Sequence, residues 1–246
     1  MQKRILVWLI LLLCFVQMPS FADDAEKKTD NSETKTIPKK QDLQHFDKIN
    51  LSGVGNLYIK QTDQENFTME ADEALLPLIK VSVKDKTLYI DLADASSHLK
   101  ANIKYYLNIK TVNSIIASGL THIFIPNGLQ TDALKLSISG FGSEAHININ
   151  VKQLTAKVDG GAKVEASGVA GAQMVEIHGA GEFDGTKLAG DIATVSIDGS
   201  SIAKTNISDK LSVDISGDAE LKYCAKPDIT QKISGNGRIS RLESGC

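Results

Sequence analysis

Asp159, His178 and Asp198 recur about every 20 residues in a chain of 246. Each comes just before a glycine: Gly160, Gly179 and Gly199. Ser139 and Ser216 hold the same place before Gly140 and Gly217. If that spacing stacks neighbouring strands, the side chains lie roughly 5 Å apart. A carboxylate–imidazole–carboxylate row could orient an acid/base histidine or hold a metal ion. It also reads as a solvent-facing polar ladder, in which Ser and Asp bond backbone at a bend. The adjacent Tyr105-Tyr106 offers different chemistry. In a strand one of the two faces the core and the other solvent, where it could contact a glycan or a protein. The remaining histidines, His45, His98, His122 and His146, fall at unrelated offsets and read as surface residues.

The elements that would position these residues follow from the glycines. Gly119, Gly140, Gly160, Gly179, Gly199, Gly217 and Gly235 recur at a near-constant interval, and Gly53 is an earlier copy. Two residues before them stand Leu51, Ala117, Ile138, Val158, Ile177, Ile197, Ile215 and Ile233. Four before them stand Ile49, Ile115, Leu136, Ala156, Val175, Val195, Val213 and the exception Gln231. Two after them are Gly55, Thr121, Gly142, Ala162, Gly181, Ser201, Ala219 and Gly237, nearly all small. Alternation of this kind means strands with one buried face. The glycine and the small residue after it mean a bend that bulky side chains would crowd. The expected fold is therefore all-β, a parallel β-solenoid of about 20-residue coils. An antiparallel sandwich of short strands is the rival, but it fits the regular period less well.

Between Gly53 and Gly119 the period lapses. Leu57–Lys60, Phe67–Ala71, Ile79–Val83, Leu88–Leu92 and Ile103–Ile109 still read as strands, with a turn at 84–87. These predict irregular N-terminal coils that cap the array.

Composition and the chain ends bound the function. The chain is 42% hydrophobic, enough to fill a core and too much for wholesale disorder. Formal charge is −3 and arginine occurs only at Arg4, Arg238 and Arg241, which speaks against nucleic acid as a partner. Lys3 and Arg4 precede an apolar run, Ile5–Val16, and Ser20-Phe21-Ala22 then puts small residues at a cleavage site. Residues 1–22 thus read as a signal peptide. The run is short of the roughly 20 residues of a membrane span, so the mature chain is expected to have none. Losing Lys3 and Arg4 takes the charge from −3 to −5, and the single Trp leaves as well. Cys224 and Cys246 remain, a natural disulfide pair in an exported chain, with two free thiols as the other reading. Residues 23–45 are polar and mixed in charge and read as a disordered linker. The solenoid domain is assigned to 46–246.

Some segments carry a resemblance. Phe46-Asp47-Lys48-Ile49 runs into Leu51-Ser52-Gly53-Val54-Gly55. Ala71-Asp72-Glu73-Ala74-Leu75-Leu76 leads to Ile79-Lys80-Val81-Ser82-Val83, and Thr87-Leu88-Tyr89-Ile90 follows. Ser-Gly-x-Gly units stand at 139–142 and 234–237. Together they resemble the putative auto-transporter adhesin, head GIN-domain family of bacterial envelope proteins. The resemblance spans about residues 46–242. It implies an exported, strand-rich solenoid and supplies no catalytic residues.

The reading is a non-catalytic exported protein of the periplasm or cell surface, without a cofactor. It would bind an envelope protein or a surface polysaccharide through a solenoid face. A polysaccharide-active enzyme and a purely structural envelope component are the alternatives. The scattered Asp132, Asp184, Asp191 and Asp209 give no specific catalytic pair, and no Gly-x-Ser-x-Gly or phosphate-binding loop occurs.

Overall fold

A computed structural model describes residues 36–41 and 43–243, with side chains from residue 43 onward. The expected signal peptide and Cys246 lie outside the described residues. Among those described, regular structure is almost wholly strand. Two short 3-10 turns, Leu76–Leu78 and Ala95–His98, are the exceptions. No described helix is long and apolar enough to cross a membrane.

Strands β1 (Thr36–Gln41), β2 (Lys48–Gln61), β3 (Asn66–Asp72), β4 (Ile79–Lys84), β5 (Thr87–Leu92) and β6 (Lys104–Ile109) form the N-terminal part. β2 to β6 cover the strands expected between Gly53 and Gly119. Pairing here is mixed: β1 with β3, β3 with β6 and β4 with β5 are antiparallel. Both β5 and β6 lie parallel to β2. The strand at Thr36–Gln41 departs from expectation, because that stretch reads as part of a linker. Its polar sequence suits an edge strand, where Pro38 is tolerated and no apolar alternation is required.

β7 (Ser114–Gly179), β8 (Glu182–Gly199), β9 (Ile202–Gly217), β10 (Glu220–Cys224), β11 (Asp228–Gly235) and β12 (Arg238–Arg241) follow. Between these elements pairing is parallel throughout: β2 with β7, β7 with β8, β8 with β9, β9 with β10 and β11, and β10 with β12. From β7 to β12 the paired residues stand 17 to 20 residues apart, as in Lys163 with Glu182 and Val195 with Val213. The sheet is open rather than a closed barrel, with β1 and β12 at the ends of its main path.

A straight strand of 66 residues would run roughly 200 Å, so β7 must turn back on itself. The glycines show where. Gly119 pairs with Gly53, Gly199 with Gly179 and Gly217 with Gly199. At three of these steps the amide of the residue after the glycine donates to the carbonyl of the preceding step's glycine. Ala180 bonds Gly160 at 2.8 Å, Ser200 bonds Gly179 at 2.8 Å and Asp218 bonds Gly199 at 3.0 Å. At Gly199 φ is +118°, and a Cβ would fall on the carbonyl oxygen of Gly179. Backbone packs so closely on backbone here that only hydrogen fits. The small residues two positions later face inward: a Cβ on Gly181 would meet Val158 at 2.9 Å.

The core sits on the expected columns. Leu51, Ala117, Ile138, Val158, Ile177, Ile197 and Ile215 are buried, as are Ile49, Ile115, Leu136, Ala156, Val175, Val195 and Val213. The last step departs from this, since Gln231 and Ile233 on β11 are exposed.

The glycine column is not uniformly tight. Gly160 has φ +75°, and a Cβ there would stand 3.6 Å from the Gly140 carbonyl, an ordinary contact. Gly199→Ala should therefore cost about 3 kcal/mol or more, and Gly160→Ala only the backbone strain of about 1–2 kcal/mol. Denaturant unfolding of the two variants checks this, and equal losses would mean the carbonyl contact is not what demands glycine.

Candidate functional site

The sheet register sets His178 opposite Asp198 and Asp198 opposite Ser216. The backbone order read from the spacing is thus present from His178 to Ser216. The side chains do not converge: among the described residues no hydrogen bond or ion pair joins His178 to either aspartate, and Asp159 faces Lys157 at 3.7 Å instead. Among the described residues no three His, Cys, Asp or Glu side chains are grouped to hold a metal ion.

Of the tyrosine pair, Tyr105 is buried and closed to a partner. Its ring lies 6.3 Å from Phe67 and its hydroxyl donates to the Val54 carbonyl at 3.5 Å. Burial, with the nearby Asp91 carboxylate adding to it, pushes its phenol far above the ordinary value. Tyr106 alternates outward, where its hydroxyl donates to Glu70 at 3.3 Å.

Tyr106 starts a row that crosses the sheet. It stacks on Tyr58 at 5.3 Å, Tyr58 on Phe124 at 4.9 Å, and Phe124 on His146 at 5.5 Å. The planes are within 17° of parallel, because register places the rings on adjacent strands. Beyond His146 the row becomes charged. Its Nδ1 is 3.1 Å from Glu165 and its Nε2 is 3.4 Å from Glu144. Both bonds can form together only when the ring carries two protons. Glu165 then pairs in register with Asp184, and Asp184 with Lys204.

Apart from Tyr106, sequence reasoning misses this row, although a signal for it exists. Tyr58, Phe124, Glu165, Asp184 and Lys204 all stand five after a column glycine. His146 stands six after Gly140, displaced by one extra residue. Extending the glycine alignment three positions further exposes the row.

An open groove of about 490 Å³ runs beside it. Phe124 and Pro126 line one end, His146, Asn148, Glu165 and Ser167 the middle, and Asp184, Thr186 and Lys187 the other end. The charges are held in pairs. Lys163, 2.8 Å away, holds Glu165 below the usual carboxylate range, and His146 contributes. Partial burial pushes Asp184 up, but the bonds from Lys204 at 2.8 Å and Thr186 outweigh it and leave it lowered. A general acid needs the opposite shift, a carboxyl held protonated near neutral pH. Neither Glu165 nor Asp184 is shifted that way, so both stand as ionised hydrogen-bond acceptors along the groove.

A family model matches residues 45–227, described as putative auto-transporter adhesin, head GIN domain. The chain belongs to that family. A putative adhesin from Bacteroides fragilis shares the fold with a TM-score of 0.78 at 25% identity, covering 85% of this chain and 97% of that one. A putative adhesin from Parabacteroides distasonis gives 0.70 at 19% identity over 85% and 98%. A protein titled a putative lipid binding protein, from the same species, gives 0.69 at 18% identity over 85% and 97%. No curated protein matches. In this GIN-domain chain the groove lies wholly within the residues that the family model covers.

Asp184 gives a pH test. Its carboxyl is lowered in the folded state, so its contribution is complete above the unfolded value of ~3.9. It is lost as pH falls through the lower folded value. Lys204→Met should cost about 0.5–1 kcal/mol at pH 7 and flatten the stability loss below about pH 4. Denaturation midpoints from neutral to acid pH read both effects, and an unchanged acid limb would show the pair contributes nothing.

Proposed function

We propose that this is an exported, non-catalytic recognition module of the bacterial envelope that binds a surface glycan in the groove beside the stacked row. The observation that carries the reading is the change along one row from stacked rings to paired charges, with Asn148, Ser167 and Thr186 beside it. Phe124 is stacked between Tyr58 and His146, so the groove offers its edge, the imidazole, carboxylates, an amide, hydroxyls and the Lys187 ammonium. A hydroxyl-rich polymer satisfies such a mixture of donors and acceptors. The lowered carboxyls favour binding over hydrolysis.

Parallel pairing at a step of about 20 residues supports a β-solenoid as the form of the scaffold. Family membership and the N-terminal apolar pattern support export. A Cys224–Cys246 bridge would tie down the last steps. Cys224 is buried at the end of β10, while Cys246 lies outside the described residues.

A protein partner is the second reading. Met174 and Ile192 are exposed and line an apolar depression with Leu154 and Ala193. An exposed apolar surface of this kind suits a protein contact.

An array of envelope glycans, probed with the exported protein, should give a saturable hit. His146→Ala and Lys187→Ala should each weaken it about tenfold, a loss on the order of 1.4 kcal/mol, and Met174→Asp should leave it unchanged. No glycan binding by folded protein would overturn the reading. Binding to an envelope protein that Met174→Asp alone abolishes would favour the second. Export and the bridge have their own readout. The mature protein should begin at Asp23 and be lighter than its reduced form by two hydrogens.

A further inference from the structure

β11 is a terminal strand with one open edge. It pairs in parallel with β9, and among the described residues nothing pairs with its other edge. Its inward residues continue the core columns: Ile229 follows Leu211, Gln231 follows Val213 and Ile233 follows Ile215. Leu211, Val213 and Ile215 are buried, whereas Gln231 is exposed and Ile233 is 39% exposed. An open backbone edge with apolar side chains beneath it is a template for another strand. A glutamine at a core position is the feature that says which strand.

We propose that β11 pairs antiparallel with β11 of a second copy of the chain, across a twofold axis at Gln231. Such a contact is self-complementary by symmetry. About this axis Ile229 faces the second copy's Ile233, and Ile233 faces its Ile229. The two Gln231 carboxamides meet on the axis, each a donor and an acceptor, so each satisfies the other. On the outward side Thr230 faces the second copy's Lys232, and Asp228 faces its Ser234. No like charges are opposed, and Asp228 lies diagonal to the second copy's Lys232. Centring the pair on Thr230 instead would set Gln231 against Ile229 and leave Ile233 without a strand partner. The polar residue thus selects one register, as a single buried amide does in a coiled coil. This contact lies apart from the groove and stands independently of the glycan reading.

Sedimentation equilibrium of this chain, expressed for export, tests the proposal. The protein should show a concentration-dependent dimer. Ile229→Asp or Ile233→Lys alone sets a charge against an isoleucine and should weaken association about tenfold or more. Combined, they set opposite charges face to face on both sides of the axis and should restore association to within about threefold of the unmodified chain. Both positions are on a terminal strand, and an unchanged circular dichroism spectrum and melting temperature confirm folding. A monomer at every concentration would overturn the proposal. So would single variants that associate normally, or a double variant no stronger than either single one.

Discussion

The rest of the fold depends on one contact: an amide laid on a glycine carbonyl one step below. Ala180 on Gly160, Ser200 on Gly179 and Asp218 on Gly199 repeat it. It holds successive bends at hydrogen-bond distance. At the tight steps it also excludes any side chain from the glycine, because a Cβ would occupy the space of that same carbonyl. Buried hydroxyls reinforce it, with Ser143 donating to the Gly119 carbonyl at 2.7 Å and Ser201 to that of Gly179 at 3.0 Å. With the bends aligned, every column on either side of them is aligned too. That alignment lets Ile and Val stack inward and rings stack outward.

The outward row shows what alignment does to surface chemistry. Isolated surface tyrosines are free to rotate. Here Tyr106, Tyr58, Phe124 and His146 restrain one another through their faces. The salt bridges beyond them run both along a strand, as Lys163 to Glu165, and across strands, as Lys204 to Glu182. Singly these exposed pairs add little stability. As a network they fix where the groove's charges lie.

Much of this is legible in the sequence, for physical reasons that also mark where legibility ends. The core columns are readable because burial restricts residue type, and the one exception, Gln231, falls on a strand whose inward face is open. The irregular strands before Gly119 are readable, but not their pairing, since alternation does not encode direction. Thr36–Gln41 reads as linker because an edge strand needs no apolar face. The row from Tyr58 to Lys204 escapes notice because outward positions tolerate a change from ring to charge, and one extra residue displaces His146. The Asp159–His178–Asp198 spacing predicts neighbouring backbones correctly for His178 and Asp198. Spacing does not dictate where solvent-facing side chains point, and these do not meet.

The position of β2 has a consequence for how the chain can fold. β2 is made early, yet it is flanked by β5 and β6 on one edge and by β7 on the other. Lys48 pairs with Ser114, and all of β3 to β6 is made between them. During synthesis β2 therefore has no parallel neighbour until Thr87 is available, and it stays open on one edge until β7 arrives. The first half of the chain must close long loops before it gains its contacts, which is slow. After β7 each new strand finds its partner within about 20 residues behind it, as Val213 finds Val195. Folding is thus delayed at the start and processive thereafter, so the N-terminal strands set the pace for the whole array.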